Sequence, residues 1–127
     1  MIYSAQILIL VYILITFAYS ALEKIFQWKQ SVDYYRLHFK DTFMEKVIPP
    51  SLLLVIFFEL ITVILSVLGI YNLLLFNGKQ LGLYALITAA ITLIGLMIGQ
   101  RIAKDYAGAM LITVYFILTV FGVFLLK

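Results

Sequence analysis

The chain contains no cysteine and only one histidine, His38, among its 127 residues. The absence of thiols excludes disulfide relays, thiolate metal sites and cysteine nucleophiles. A single imidazole also disfavours a haem or copper site that needs several histidines. We therefore expect no metal site and no thiol chemistry within this chain.

Charge is equally scarce. Charged residues make up 12% of the chain and hydrophobic residues 65%, and the mean hydropathy is +1.15. Soluble domains are typically about half apolar and about a quarter charged, so a water-soluble fold of this length could not bury so much apolar surface. The net charge of +3 is small and predicts no nucleic-acid partner. The composition predicts an integral membrane protein in contact with lipids.

Four segments are long enough to cross the hydrocarbon core, which takes about 20 apolar residues as a helix. They lie at roughly 2–22, 50–75, 81–100 and 107–126. A β-barrel would need alternating apolar and polar residues, and residues 73–98 do not alternate. We predict an all-α fold, in which residues 1–127 form one antiparallel bundle of four membrane-spanning helices.

The connection between the first two spans, residues 23–49, is long and amphipathic. It holds Trp28, a run of further aromatic residues and five of the nine basic residues, and tryptophan, tyrosine, lysine and arginine together favour the membrane–water interface. Residues 42–45 match a capping box, and Pro49 and Pro50 suit the first turn of a helix. We expect short interfacial helices that partly cover the mouth of the bundle. An ordinary solvated loop is the alternative.

The distribution of lysine and arginine predicts the orientation in the membrane. The connections after the first and third spans carry seven of these residues, and the opposite side carries Lys79 and Lys127. The seven are Lys24, Lys29, Arg36, Lys40, Lys46, Arg101 and Lys104. By the positive-inside rule, residues 23–49 and 101–106 are then cytoplasmic and both termini lie outside. For a bacterial protein, this places the chain in the inner (cytoplasmic) membrane.

Each predicted span carries a stripe of small or polar residues at helical spacing. Such residues let helices approach closely within lipid. We predict a helix-packing face made of Thr62, Ser66, Thr92, Gly95 and Gly99. On the first span, the corresponding stripe is Tyr12, Thr16, Tyr19 and Glu23, and we expect it to face the bundle interior.

Glu59 is a single carboxylate within the apolar second span. It lies about 13 Å from the predicted start of that helix, where an uncompensated charge costs several kcal/mol. Long basic side chains near the helix ends can reach inward to such a group. The candidates for one polar cluster are Glu59, Glu23, Lys24, Arg101, Lys104 and Asp105. Glu59 either sets the helix register, protonated or paired with Arg101, or lines a small cavity for a ligand or a proton.

Several segments resemble the DoxX-like family of small four-helix bacterial membrane proteins. They are SALEKIFQW (20–28), FELITVILSVLGIY (58–71), the proline-containing entry to the second helix, and GQRIAKDYAGAM (99–110). Ala21 stands where a glycine is usual in the family. The resemblance implies the four-helix fold, but it supplies no catalytic residues, and only Glu59 and Lys24 carry over as motif positions.

Two classes of function fit these observations. The first is an accessory or structural subunit of a larger membrane complex, respiratory or secretory, with other integral membrane subunits as partners. The second is a quinone-linked oxidoreductase component or a proton-coupled small-molecule carrier that uses the Glu59 cluster. No cofactor motif is present, and a quinone or a lipid is the candidate ligand. The sequence favours the first class and does not identify an enzyme.

Overall fold

A computed structural model describes residues 3–127 and consists of helices joined by short turns. Its elements are α1 (Ser4–Phe26), α2 (Trp28–His38), a 3₁₀ helix (Phe43–Val47), α3 (Ile48–Leu75), α4 (Gln80–Ile102) and α5 (Tyr106–Leu126). Four helices, α1, α3, α4 and α5, are long and apolar enough to cross a membrane. The prediction of an all-α membrane helical bundle is confirmed. The first predicted span begins at residue 2, which lies outside the described residues.

Local sequence explains the helix boundaries. Pro49 lies in the first turn of α3, where its missing N–H costs nothing. Between α3 and α4, Asn77 adopts a positive φ of 53°, a conformation that asparagine tolerates better than most residues. The largest departure from the predicted spans is at the end of α1, which continues to Phe26.

The membrane-spanning helices are arranged so that α1 packs on α3, α3 on α4 and α4 on α5. Contacts between α1 and α5 close the ring at the end remote from α2. There, a Cβ atom on Gly122 of α5 would lie 3.0 Å from the side chain of Ile9 on α1. Nearer the middle of the two helices, the rings of Tyr12 and Tyr115 lie 6.3 Å apart. The end remote from α2 is filled by buried apolar side chains, among them Leu10, Leu73, Leu86 and Leu126. We call this the packed end, and we call the opposite end, beneath α2, the α2 end.

Glycines set the helix spacing at the packed end. A Cβ atom on Gly69 of α3 would lie 2.6 Å from the Cα atom of Gly82 on α4. A Cβ atom on Gly122 of α5 would lie 2.7 Å from a methyl group of Leu86. These helices therefore approach each other through positions without side chains, as small residues allow within lipid.

The predicted packing face is only partly buried. Thr62, Ser66 and Thr92 are buried, whereas Gly95 is exposed and a Cβ atom there would meet nothing within 4 Å. Gly99 is half-buried, and a Cβ atom on it would lie 3.6 Å from Phe39 of α2. The expectation that Gly95 packs against a neighbouring helix was wrong, because no other helix approaches α4 at this position and the space beside Gly95 is open.

The first helix turns a different face inward from the one we expected. Tyr12, Tyr19 and Glu23 are exposed. The buried face is instead apolar and runs through Ile9, Leu10, Ile13, Phe17 and Ala21 to Lys24. The expectation for α1 was wrong because large apolar side chains, rather than small ones, fill the space between α1 and α3.

The connection between α1 and α3 is helical, and its helix α2 covers one end of the four-helix bundle. Gln27, at φ −119° and ψ 46°, breaks the chain direction between α1 and α2. The face of α2 turned to the bundle carries Trp28, Val32, Tyr35 and Phe39 at helical spacing, and these side chains pack around Ile48, Leu52 and Ile102. Its opposite face carries Lys29, Asp33, Arg36 and Lys40, all exposed. This amphipathic pattern is typical of a helix at a membrane–water interface.

We predict that Gly69→Ala destabilises the bundle, whereas Gly95→Ala does not. The new methyl group at position 69 would clash with the backbone of Gly82, and overpacking of this kind typically costs about 1–3 kcal/mol. At position 95 the methyl group meets open space, and alanine favours a helix by about 0.5–1 kcal/mol over glycine. Thermal unfolding of both variants in the same detergent measures the difference. Equal melting temperatures would contradict the close approach of α3 and α4.

Candidate functional site

A buried ion pair joins α1 to α3. Lys24 Nζ lies 3.2 Å from Glu59 Oε1, and the two residues are 7% and 2% exposed. Lys24 Nζ also donates a hydrogen bond to Ser20 Oγ, one turn earlier on α1. Taking two charges out of water costs several kcal/mol per ion, and this cost is repaid only with close pairing and additional hydrogen bonds. The Ser20 hydroxyl supplies one such bond.

The helical spacing of α1 explains why Lys24 points inward. Lys24 follows Ala21, Phe17 and Ile13 by three, seven and eleven residues, so it shares their face, and these residues are all buried. Glu59 shares the buried face of α3 with Thr62 and Ser66 in the same way. The apolar stripe of α1 therefore identifies Lys24 as the partner of Glu59. We did not single out this partner from the sequence because we followed the stripe of small and polar residues on α1, which does not contain Lys24.

The other members of the predicted cluster lie elsewhere. Arg101 is exposed, and its guanidinium stacks 5.1 Å from the ring centroid of Tyr106. Lys104 is exposed in the turn between α4 and α5, at a positive φ of 62°. Glu23 is exposed beside the ion pair and does not bond to it. The expectation of one six-residue cluster was wrong, because Arg101 and Lys104 follow the outer side of α4 and its terminal turn.

Asp105 takes part in a second polar contact, which involves the only histidine. Asp105 Oδ1 accepts a hydrogen bond of 2.9 Å from the backbone N–H of Gly108 and so caps α5. Its other oxygen, Oδ2, lies 3.6 Å from His38 Nε2. His38 Nε2 also lies 2.7 Å from Gln100 Oε1, an oxygen that can only accept, so Nε2 is the donor. These contacts attach the end of α2 to the turn between α4 and α5.

An inner chamber of about 220 Å³ lies between Lys24 and α4. The α1 side is formed by Ser20 and Lys24, and the α4 side by Gly95 and Gly99. Its lining is mostly apolar, and it also includes Tyr35, Phe39, Met44, Ile48, Ser51, Leu52, Val55, Leu96, Gln100 and Ile112. The glycines that do not pack against another helix therefore border this chamber.

A larger vestibule of about 520 Å³ occupies the angle between α1 and α2. The exposed stripe of α1, including Tyr19 and Glu23, forms one wall. Ser20, Lys24 and Tyr35 line both the vestibule and the inner chamber. Lys24, the cation of the buried pair, thus lies at the boundary between a more polar outer space and a more apolar inner one.

Tyr35 belongs to this boundary and keeps its proton. Burial raises the pKa of its phenol above the ordinary value, and the neighbouring phenol of Tyr34 and the carboxylates of Glu59 and Glu23 act in the same direction. A neutral phenol both donates and accepts hydrogen bonds. The boundary therefore offers a ligand the Tyr35 hydroxyl as well as the groups of Ser20 and Lys24.

Comparison with protein-family models, with curated proteins and with solved structures finds no match to this chain. The resemblance to the DoxX-like family therefore stays a prediction. Within residues 3–127, no group of three or more His, Asp or Glu side chains is arranged to hold a metal ion. The residues of this site provide hydrogen-bonding groups and a paired charge beside an apolar chamber.

We predict that the two charges stabilise each other. Either Glu59→Gln or Lys24→Gln alone leaves one buried charge without its counter-ion, which typically costs about 3–5 kcal/mol, whereas removing both can be nearly neutral. The double variant should therefore recover most of the stability lost by each single variant. Thermal unfolding in detergent measures all three.

The exposed Arg101 provides the control for this cycle. Arg101→Gln removes a charge outside the ion pair, so its melting temperature should stay close to that of the wild type. A double variant as unstable as the sum of the two single variants would contradict the pairing of Lys24 with Glu59.

Proposed function

We propose that this chain is a small DoxX-like membrane protein that binds an amphiphilic small molecule beside the Lys24–Glu59 pair. The observation that carries the proposal is the inner chamber of about 220 Å³, whose wall includes Lys24, the buried cation of this pair. This space is far larger than the roughly 10–15 Å³ that a single water molecule needs. A concave apolar space with a few polar groups is the usual form of a ligand site.

The shape of the bundle supports binding from one side of the membrane. Beyond Glu59, the interior of α3 continues through Thr62 and Ser66, and then reaches the apolar side chains and glycine contacts of the packed end. A proton-coupled carrier would need a second opening through this packed region. We therefore favour a binding role over a transmembrane pathway.

The ligand contacts follow from the walls of the two spaces. The Tyr35 hydroxyl, Ser20 and Lys24 would bind the polar part, and the apolar chamber beside Gly95 and Gly99 would take the remainder. A quinone, which the resemblance implies through its quinone-linked members, is one molecule with these properties, and a lipid is another. Hydrogen-bonding groups and an apolar wall are what these two spaces offer a ligand, so we propose a binding role.

A second candidate function is the accessory-subunit role favoured by the sequence. Its support is the exposed carboxylate of Glu23 and the exposed ring of Tyr19 on a membrane-spanning helix. Polar groups on a spanning helix usually face protein or water, so a helix of another integral membrane subunit could cover this side of α1. Purification from native membranes in mild detergent separates the two proposals. A stoichiometric protein partner favours the subunit role, and a bound small molecule favours the ligand site.

We predict that Gly95→Leu reduces the amount of small molecule that copurifies with the protein. The leucine side chain would extend into the inner chamber, where a Cβ atom meets nothing within 4 Å, so the fold should tolerate it. Mass spectrometry of solvent extracts, normalised to protein, measures the bound molecule. Gly95→Ala is the matched control, since one methyl group leaves most of the chamber free. Undiminished copurification with the leucine variant would reject the chamber as the site.

We also propose that the protein lies in the bacterial inner membrane with α2 on the cytoplasmic side, as the distribution of lysine and arginine favours. Asp33 and Gln80 are exposed at opposite ends of the bundle, and the chain contains no cysteine. In intact cells, a membrane-impermeant maleimide should label Gln80→Cys and not Asp33→Cys. Neither substitution changes the number of basic residues. The reverse labelling pattern would reject the orientation and leave the fold unaffected.

A further inference from the structure

The vestibule between α1 and α2 is lined mainly by uncharged hydrogen-bonding groups. They include the amides of Gln27 and Gln30, the hydroxyl of Ser31, and the phenols of Tyr19 and Tyr34. Amides and hydroxyls each offer both donors and acceptors. Tyrosine adds a flat apolar ring beside its hydroxyl. This combination can bind a group that itself carries several hydroxyls.

The charges of the vestibule disfavour an anionic ligand. Among the described residues, Lys24 is the one cation that lines this space, and its ammonium is already paired with Glu59 at 3.2 Å. Glu23 adds an exposed carboxylate to the wall. A phosphate or carboxylate headgroup would therefore meet a negative charge and no unpaired ammonium group.

The position of the vestibule fits a membrane lipid. It lies where the membrane-spanning α1 meets the amphipathic α2, the level at which tryptophan and tyrosine rings commonly meet lipid headgroups. Beyond Ser20 and Tyr35 it borders the more apolar inner chamber. Polar outer and apolar inner spaces in contact match a molecule with a polar head and an apolar part.

We propose that the vestibule binds the uncharged, hydroxyl-rich headgroup of a glycolipid, with the apolar part on the inner-chamber side of Ser20 and Tyr35. This inference rests on the proposed ligand site and names the class of its ligand. Each added hydrogen bond to the headgroup gives preference over a lipid that lacks the hydroxyls.

The test uses the full chain in phosphatidylcholine nanodiscs that contain three added lipids at equal fractions and with the same acyl chains. They are monoglucosyl diacylglycerol, phosphatidylglycerol and unmodified diacylglycerol. Native mass spectrometry of the released protein measures which lipid stays bound. We expect the glucosyl lipid to be retained about tenfold over each of the others, the ratio that one or two net hydrogen bonds supply. Equal retention of all three, or a preference for phosphatidylglycerol, would overturn the proposal.

A matched pair of variants assigns the preference to the vestibule. Gln30 is exposed in its wall, and Gln80 is exposed at the opposite end of the bundle. Gln30→Leu should lose most of the preference for the glucosyl lipid, and Gln80→Leu should keep it. Because both positions are exposed, both variants should fold, which the emission of the only tryptophan, Trp28, can verify. An unchanged preference in Gln30→Leu would overturn the assignment.

Free methyl glucoside distinguishes a lipid from a soluble sugar. We expect an excess of it to leave most of the glucosyl lipid bound, since it lacks the apolar part. Complete displacement would overturn the assignment to a lipid. If Gly95→Leu removes a copurifying molecule that is not a glycolipid, the ligand site stands and this inference fails. If Gly95→Leu removes nothing, the site itself is rejected.

Discussion

Two opposite charges inside an apolar bundle have to meet each other, and Lys24 and Glu59 do so across the interface between α1 and α3. Neither could face lipid or remain buried alone without a cost of several kcal/mol. A shift of α1 by one residue would rotate Lys24 by about 100° away from its partner. The pair therefore fixes how α1 lies against α3, and with it the place where α1 ends at Phe26 and α2 begins across the bundle.

The two ends of the bundle follow different packing rules. At the packed end, Gly69 and Gly82 bring the backbones of α3 and α4 together, Gly122 makes room for the side chain of Leu86, and leucines fill the centre. At the α2 end, Phe39 lies beside Gly99 and an inner chamber remains next to the ion pair. The bundle is therefore closely packed at one end and contains a pocket at the other. Three of the polar groups of this pocket, those of Ser20, Lys24 and Tyr35, lie on the side of α1 and α2.

The amphipathic α2 is held in place at both of its ends. At its start, the backbone break at Gln27 directs it across the bundle. At its finish, His38 contacts Gln100 and Asp105, and Asp105 also caps α5. Tyr35 between these two points is thereby held at the boundary between the vestibule and the inner chamber. The position of α2 thus determines which groups a ligand would meet.

Hydropathy and helical periodicity depend only on residues that are close in the sequence. They were therefore enough to predict the helical class, the membrane-spanning segments and the amphipathic character of the connection at residues 23–49. The sequence also singled out Glu59 as a residue that needs a partner. The packing of the helices shows what the sequence does not: this partner is Lys24, Gly95 borders a chamber, and Tyr19 and Glu23 line a vestibule. Small-residue stripes show where helices can approach closely, but the rotation of each helix depends on every neighbour at once. The polar cluster predicted near the helix ends accordingly divided into a buried pair, an exposed arginine and a capping aspartate.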